Sequence, residues 1–210
     1  MSDKFSHIAS HLAATGANFY LRGWVMGTSG NLSAVVERDP LRLAITASGV
    51  DKGALQANQI ILIDDCGQVL RDDPAKPSDE CPLHIRIVKE RAAGAVMHTH
   101  SVWSTMLSNL YFEDSGLLIE GYEMLKGLEG VKTHGHREWL PIIENSQDIL
   151  ALADVVADNL RQHPTAHGFL LRRHGLYTWG NDVAQAKRHV EILEFLLETL
   201  ARTRLISGIN

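Results

Sequence analysis

Eleven histidines accompany only two cysteines in this chain, and His98-Thr99-His100 is the pair whose spacing points to chemistry. Residues two apart on a strand face the same way, so both imidazoles come within reach of one divalent ion. A second such pair, His134-Gly135-His136, falls in a Gly- and Lys-rich stretch that reads as loop. A third ligand has to come from elsewhere, and His174 is placed for it. It ends the apolar run Phe169-Leu170-Leu171 and precedes Gly175, where a side chain can leave a sheet edge. Three neutral imidazoles leave a zinc ion its full charge and open positions for substrate oxygens, which is the arrangement of a Lewis acid. A structural zinc would recruit cysteine instead. His7, His11, His84, His163, His167 and His189 read as packed or surface residues.

Three short polar segments accompany the histidines. Thr28-Ser29-Gly30-Asn31 and Thr46-Ala47-Ser48-Gly49 offer backbone N–H groups and small donors. Pro77-Ser78-Asp79 offers a third set at a helix start, where the dipole favours an anion. Together they can cradle a phosphate without a Walker lysine, although Asp79 is a poor neighbour for one. No dinucleotide or Walker fingerprint is present. Glu80, Glu120 and Glu123 are the carboxylates near these segments, and a buried one beside a metal-bound carbonyl would serve as a proton shuttle.

Hydrophobic spacing supplies the elements that must carry these groups. Phe5, Ile8, Ala9, Leu12 and Ala13 predict a first helix to about Arg22. Strands are expected at 32–36, 41–46, 60–63, 68–70, 94–100, 117–119, 139–143, 168–173 and 176–179. Helices are expected from Pro82 to Arg91 with Ser78 or Asp79 as cap, after Ser101, over 146–163, and from Asp182 onward. Asp64 to Asp79 reads as a loop. Strands cluster in pairs and helices in blocks, so a mostly antiparallel sheet with helices on its faces is expected.

The 210 residues are long enough for one core, and a balance of 20 basic to 25 acidic residues, −5 overall, argues against nucleic acid or membrane surfaces as partners. No signal peptide and no membrane-spanning run is visible, so the expected location is the cytoplasm, with both thiols reduced.

Taken together, Gly30-Asn31-Leu32-Ser33, Thr46-Ala47-Ser48-Gly49-Val50, Pro77-Ser78-Asp79-Glu80, His98-Thr99-His100-Ser101 and Arg172-Arg173-His174-Gly175 resemble the class II aldolase/adducin family, in the family's order and over nearly the whole chain. The resemblance implies a single domain over 1–210, a three-layer α/β/α sandwich around a mainly antiparallel sheet. It implies one zinc ion per subunit on His98, His100 and His174, and a sugar phosphate held by Asn31, Ser48, Gly49 and Ser78. It also implies a homotetramer with sites at subunit interfaces. Aldolases of the family carry Ser-Ser-Glu where this chain has Ser78-Asp79-Glu80, and that Glu is their acid/base. Cys81-Pro82-Leu83, Tyr122-Glu123-Met124-Leu125-Lys126-Gly127 and Pro141-Ile142-Ile143-Glu144-Asn145 resemble instead the family's dehydratases. That likeness makes Glu123 the acid/base, with Glu80 second, and places Cys81 beside the substrate. An aldolase or 4-epimerase of sugar phosphates is the alternative activity, and a non-catalytic adducin-like domain would have lost the histidines.

Overall fold

The computed structural model describes residues 2–70 and 75–208. Helix α1 spans Ser2–Leu21, and the strands β1 (Asn31–Arg38), β2 (Leu41–Thr46) and β3 (Ile60–Asp64) follow. Then come α2 (Cys81–Arg91), β4 (Ala95–Thr99), α3 (Val102–Leu110), β5 (Gly116–Glu120) and β6 (Arg137–Ile143). The chain closes with α4 (Ile149–Gln162), β7 (Gly168–Leu171), β8 (Gly175–Gly180) and α5 (Val183–Ile206). The strands form one eight-stranded sheet in the order β3-β2-β1-β4-β8-β7-β6-β5.

The sheet is mixed, which corrects the expectation of a mainly antiparallel one. β6 and β7 run parallel through Ile142↔Leu170 and Ile143↔Leu171. The physical reason is the connection: α4 lies between the two strands, and a helical crossover returns the chain in the same direction. The expected strand at 68–70 reduces to a single bridge between Ile63 and Val69. Residues 71–74 of the expected loop lie outside the described residues.

Pleating divides the apolar side chains. Leu43, Ile45, Ile61, Ile63 and Phe169 join α2 and α4 in one cluster, with Leu83, Ile87, Val156 and Leu160 among its members. Ala44, Ile60, Leu62, Ala95 and Met97 join α1 and the start of α5 in another. A third gathers Leu140, Leu170 and Leu176 against the middle of α5. Helix α4 shows the sequence logic: Leu152, Val156 and Leu160 are buried at four-residue spacing, and Asp148 caps the helix by accepting from Ala151 N–H.

Neither Ser78 nor Asp79 caps α2. Glu80 holds the N-cap position and makes no capping bond with its side chain, because that carboxylate is turned into the site described next. No described helix is long and apolar enough to cross a membrane.

Candidate active site

Three adjacent strands build the floor of the site. Their register sets Asn31 of β1 opposite His98 of β4, and His98 opposite Tyr177 of β8. The Tyr177 ring stacks on His98, with centroids 3.9 Å apart and planes 11° apart. His100 lies just past β4, and its N–H donates to Trp24 O at 2.7 Å, which ties the 24–30 loop to the sheet end. His174 sits in the β7–β8 turn, where Thr105 Oγ1 of α3 donates to its carbonyl at 3.0 Å. Gly175 must be glycine here, since a Cβ would lie 1.9 Å from Thr99 O. Gly30 is held at φ +71, with a would-be Cβ 2.7 Å from His98 O.

The three expected ligands converge. The Nε2 atoms of His98 and His100 are 2.8 Å apart, those of His98 and His174 3.3 Å, and those of His174 and His100 3.1 Å. His98 Nδ1–H donates to Leu176 O at 3.0 Å, so its Nε2 presents a lone pair to the other two rings. Glu80 Oε1 stands 3.3 Å from His174 Nε2 and 3.5 Å from His98 Nε2. All four groups are within ligand reach of one another. Tetrahedral zinc with nitrogen ligands at ~2.1 Å spaces those nitrogens by about 3.4 Å, close to the separations here. One divalent cation is the group that would satisfy three imidazoles and a carboxylate together. His174 Nδ1 is buried with no partner in the chain.

Electrostatics agree. Burial pushes His98 well below its usual pKa, with His100 and His174 adding to the effect. Burial, then His174 and Lys52, bring His100 down to about 4. Burial lowers His174 against the opposing charge of Glu80. All three rings are therefore neutral at neutral pH, the form that binds a metal.

A network the sequence reading missed holds Glu80. Tyr177 Oη donates to Glu80 Oε1 at 2.9 Å, and Asn31 Nδ2 donates to Glu80 Oε2 at 2.5 Å and to Ser78 Oγ at 3.2 Å. Behind Asn31, buried His84 bonds its Oδ1, and Ser33 Oγ lies 2.7 Å from His84 Nδ1. Burial brings His84 down to about 3. It is thus a neutral ring that donates Nε2–H to Asn31 and accepts from Ser33. Glu194 is the second omission: Thr99, between His98 and His100, donates to Glu194 Oε1 at 2.5 Å.

Asn31, Ser48, Gly49 and Ser78 line one pocket of about 150 Å³ together with Glu80, His100 and His174. The Ser48 N–H donates to Lys76 O at 2.9 Å, which draws the 46–49 turn against the segment leading to Ser78. Two expected residues are not brought there. Cys81 is packed in the core against α4 and the sheet, and burial pushes its thiol up to about 12. The Glu123 side chain is 71% exposed, paired with Lys126 and lying 3.6 Å from His134 Nδ1. His134-Gly135-His136 splits, and His136 joins Glu138 and His167 elsewhere.

A cluster of three histidines and a glutamate, with the reach of ligands to one cation, beside small-residue loops on a mixed α/β sheet defines a class. The chain belongs to the class II aldolase and adducin N-terminal domain family, whose model matches residues 10–201. Among its relatives, a methylthioribulose-1-phosphate dehydratase from Sorangium cellulosum (strain So ce56) is 40% identical over 92% of this chain and 91% of its own. One from Methylococcus capsulatus (strain ATCC 33009 / NCIMB 11132 / Bath) is 42% identical over 95% of each chain. In fold the chain is similar to the L-fuculose-1-phosphate aldolase of Thermus thermophilus, with a TM-score of 0.76, 23% identity and full coverage of both chains.

Proposed function

We propose that this protein is a zinc-dependent hydro-lyase. It removes water from 5-methylthioribulose 1-phosphate to give 2,3-diketo-5-methylthiopentyl 1-phosphate in methionine salvage, as a cytoplasmic enzyme. The observation that carries this reading is the convergence of His98, His100 and His174 on a pocket lined by Asn31, Ser48, Gly49 and Ser78. The relatives named for this activity, about 40% identical along almost the whole chain, point the same way. We take 1–210 as one domain and its helices as the outer layers of an α/β/α sandwich, which the separate apolar clusters support.

When bound, zinc polarises the ketose carbonyl and acidifies the neighbouring C3–H. The small-residue loops hold the phosphate end. A carboxylate takes the C3 proton and returns it to the departing C4 hydroxyl, so that water leaves and the enol becomes the diketone. Two carboxylates compete for that role. Glu80 is already in the pocket, but both its oxygens accept hydrogen bonds and Oε1 faces the imidazoles. Those bonds hold the Glu80 carboxylate in place among Asn31, Tyr177 and the imidazoles. Glu123 projects from the surface, free of the pocket of its own chain. We therefore assign Glu123 as acid/base, delivered to the site of a neighbouring copy, and Glu80 as the carboxylate that borders the metal. A pocket of about 150 Å³ leaves the methylthio end of the substrate to reach outward, where such a neighbour would meet it. Exposed Met106, Leu110 and Leu205 line an apolar groove of about 760 Å³ along α3 and α5, which supports assembly into a homotetramer.

The test is subunit complementation. Glu123→Gln and His98→Ala proteins should each be inactive alone, the former by about 10²–10⁴-fold. Mixed after dissociation and reassembly, they should regain diketone formation, because some sites then combine intact histidines with an intact Glu123. A dead Glu80→Gln beside an active Glu123→Gln would transfer the acid/base role to Glu80. Products of C3–C4 cleavage would select the aldolase reading.

A further inference from the structure

Lys52 is a buried lysine that no part of this mechanism uses. It is 1% exposed and lies in the same pocket as Ser48, Gly49, Ser78 and His100. Its Nζ donates to Thr28 O at 2.9 Å and to Val50 O at 3.0 Å. Those carbonyls belong to the two small-residue loops, so one ammonium pins both in place. Among the described residues no carboxylate oxygen lies within salt-bridge distance of it. An ammonium carries three protons and no acceptor. Two are taken by carbonyls, and the third has the pocket beside it. A buried ammonium with no carboxylate in contact is costly, and an anion in the pocket would offset that cost.

We propose that Lys52 is the cationic contact of the phosphate subsite, donating its third proton to a phosphate oxygen while its other two hold the 28–31 and 46–50 loops at the spacing that grips the ester. This rests on the reading of the pocket as a phosphate site and adds to it a specificity residue that separates phosphorylated from neutral ketoses. Burial brings the Lys52 amine down to about 8, against the charges of Asp51 and Glu80. It is therefore largely protonated at neutral pH, and a bound dianion would stabilise that form further.

The experiment is a calorimetric titration of the zinc-loaded protein with inorganic phosphate, wild type against Lys52→Met. A charge-assisted hydrogen bond lost to a dianion should weaken phosphate binding by about 10- to 100-fold. Equal affinity in a folded, zinc-loaded variant would overturn the proposal. A second measurement needs no variant: amine acetylation of the wild-type holoenzyme, read by mass spectrometry, with and without inorganic phosphate. Phosphate should slow modification of Lys52 selectively over exposed lysines such as Lys126. If Lys52 reacts equally fast in both, the proposal fails, even should Lys52→Met prove unable to fold. Neither readout depends on dehydration, so a failure of the activity assigned above would be seen separately.

Discussion

Two histidine–glutamate clusters face opposite fates in this molecule. His98, His100, His174 and Glu80 form one, and His136, Glu138 and His167 the other. In the second, Glu138 Oε2 lies 2.7 Å from His136 Nε2 and 2.9 Å from His167 Nδ1, and Oε1 accepts from the His167 N–H at 2.8 Å. His167 Nε2 faces Glu129 O at 2.9 Å. Both ring nitrogens of His167 thus meet acceptors, and only an imidazolium donates to both. Burial opposes that charge, but the hydrogen bond and charge of Glu138 prevail, and the His167 pKa stands above its usual value. Burial likewise works against the Glu138 carboxylate, yet its partners hold it below the ordinary range. The second cluster neutralises itself with a proton. In the first, three imidazoles whose pKa values all fall meet one another through their Nε2 atoms. The lesson is that residue type alone does not distinguish the two clusters; the second answers its own lone pairs with a proton, and the first leaves them facing one another.

The largest effects should separate the two clusters by metal. His98→Ala or His174→Ala should lose both bound zinc and turnover, measured by elemental analysis and diketone formation, while His136→Ala keeps both. Zinc lost on changing His136 would make the second cluster a ligand set as well. Next in size, Glu138→Gln should cost stability, about 3–5 kcal/mol for a broken buried pair, read by urea unfolding with zinc content unchanged. The pH dependence has a definite sign. Glu138, held low, contributes above its ordinary 4.5 and loses that as pH falls through its folded value. His167, held high, contributes below its ordinary 6.5 and loses that as pH rises through its folded value. The pair should therefore stabilise most between those two points, and a Glu138→Gln profile should lack the hump. The smallest effect concerns Glu194, which burial raises to about 7 against the hydrogen bonds of Ser101 and Thr99. The folded chain keeps a proton that the unfolded chain releases from 4.5 upward. This contribution is full below 4.5 and falls by about 3 kcal/mol as pH rises to about 7. Glu194→Gln should flatten unfolding midpoints over that interval; an unchanged slope would remove Glu194 from the account.

Much of the site was legible because its chemistry is local. A His-x-His ending an apolar strand, and a histidine before glycine at the end of another, point outward for reasons carried in a few residues. The helices were legible for the same reason: apolar spacing with a cap such as Ser101 or Asp182 needs no distant partner. The parallel β6–β7 pair was overlooked although its strand–helix–strand pattern was present, since pairing direction depends on where the crossover lands. His84, Tyr177, Lys52 and Glu194 carry no local mark at all. His84 sits on a helix face like any packed histidine, and only the approach of α2 to β1 sets it on Asn31. Tyr177 meets Glu80 from 97 positions away.

Sequence alone thus determined which side chains could bind a metal and a phosphate, because strand periodicity and helix caps act over a few residues. Tertiary structure decided which of them meet. Register across β1, β4 and β8 aligned Asn31, His98 and Tyr177. The freed N-cap of α2 turned Glu80 onto them, and burial stripped the protons from the imidazoles. Desolvation and long-range pairing are properties of the folded whole, and no run of neighbouring residues encodes them.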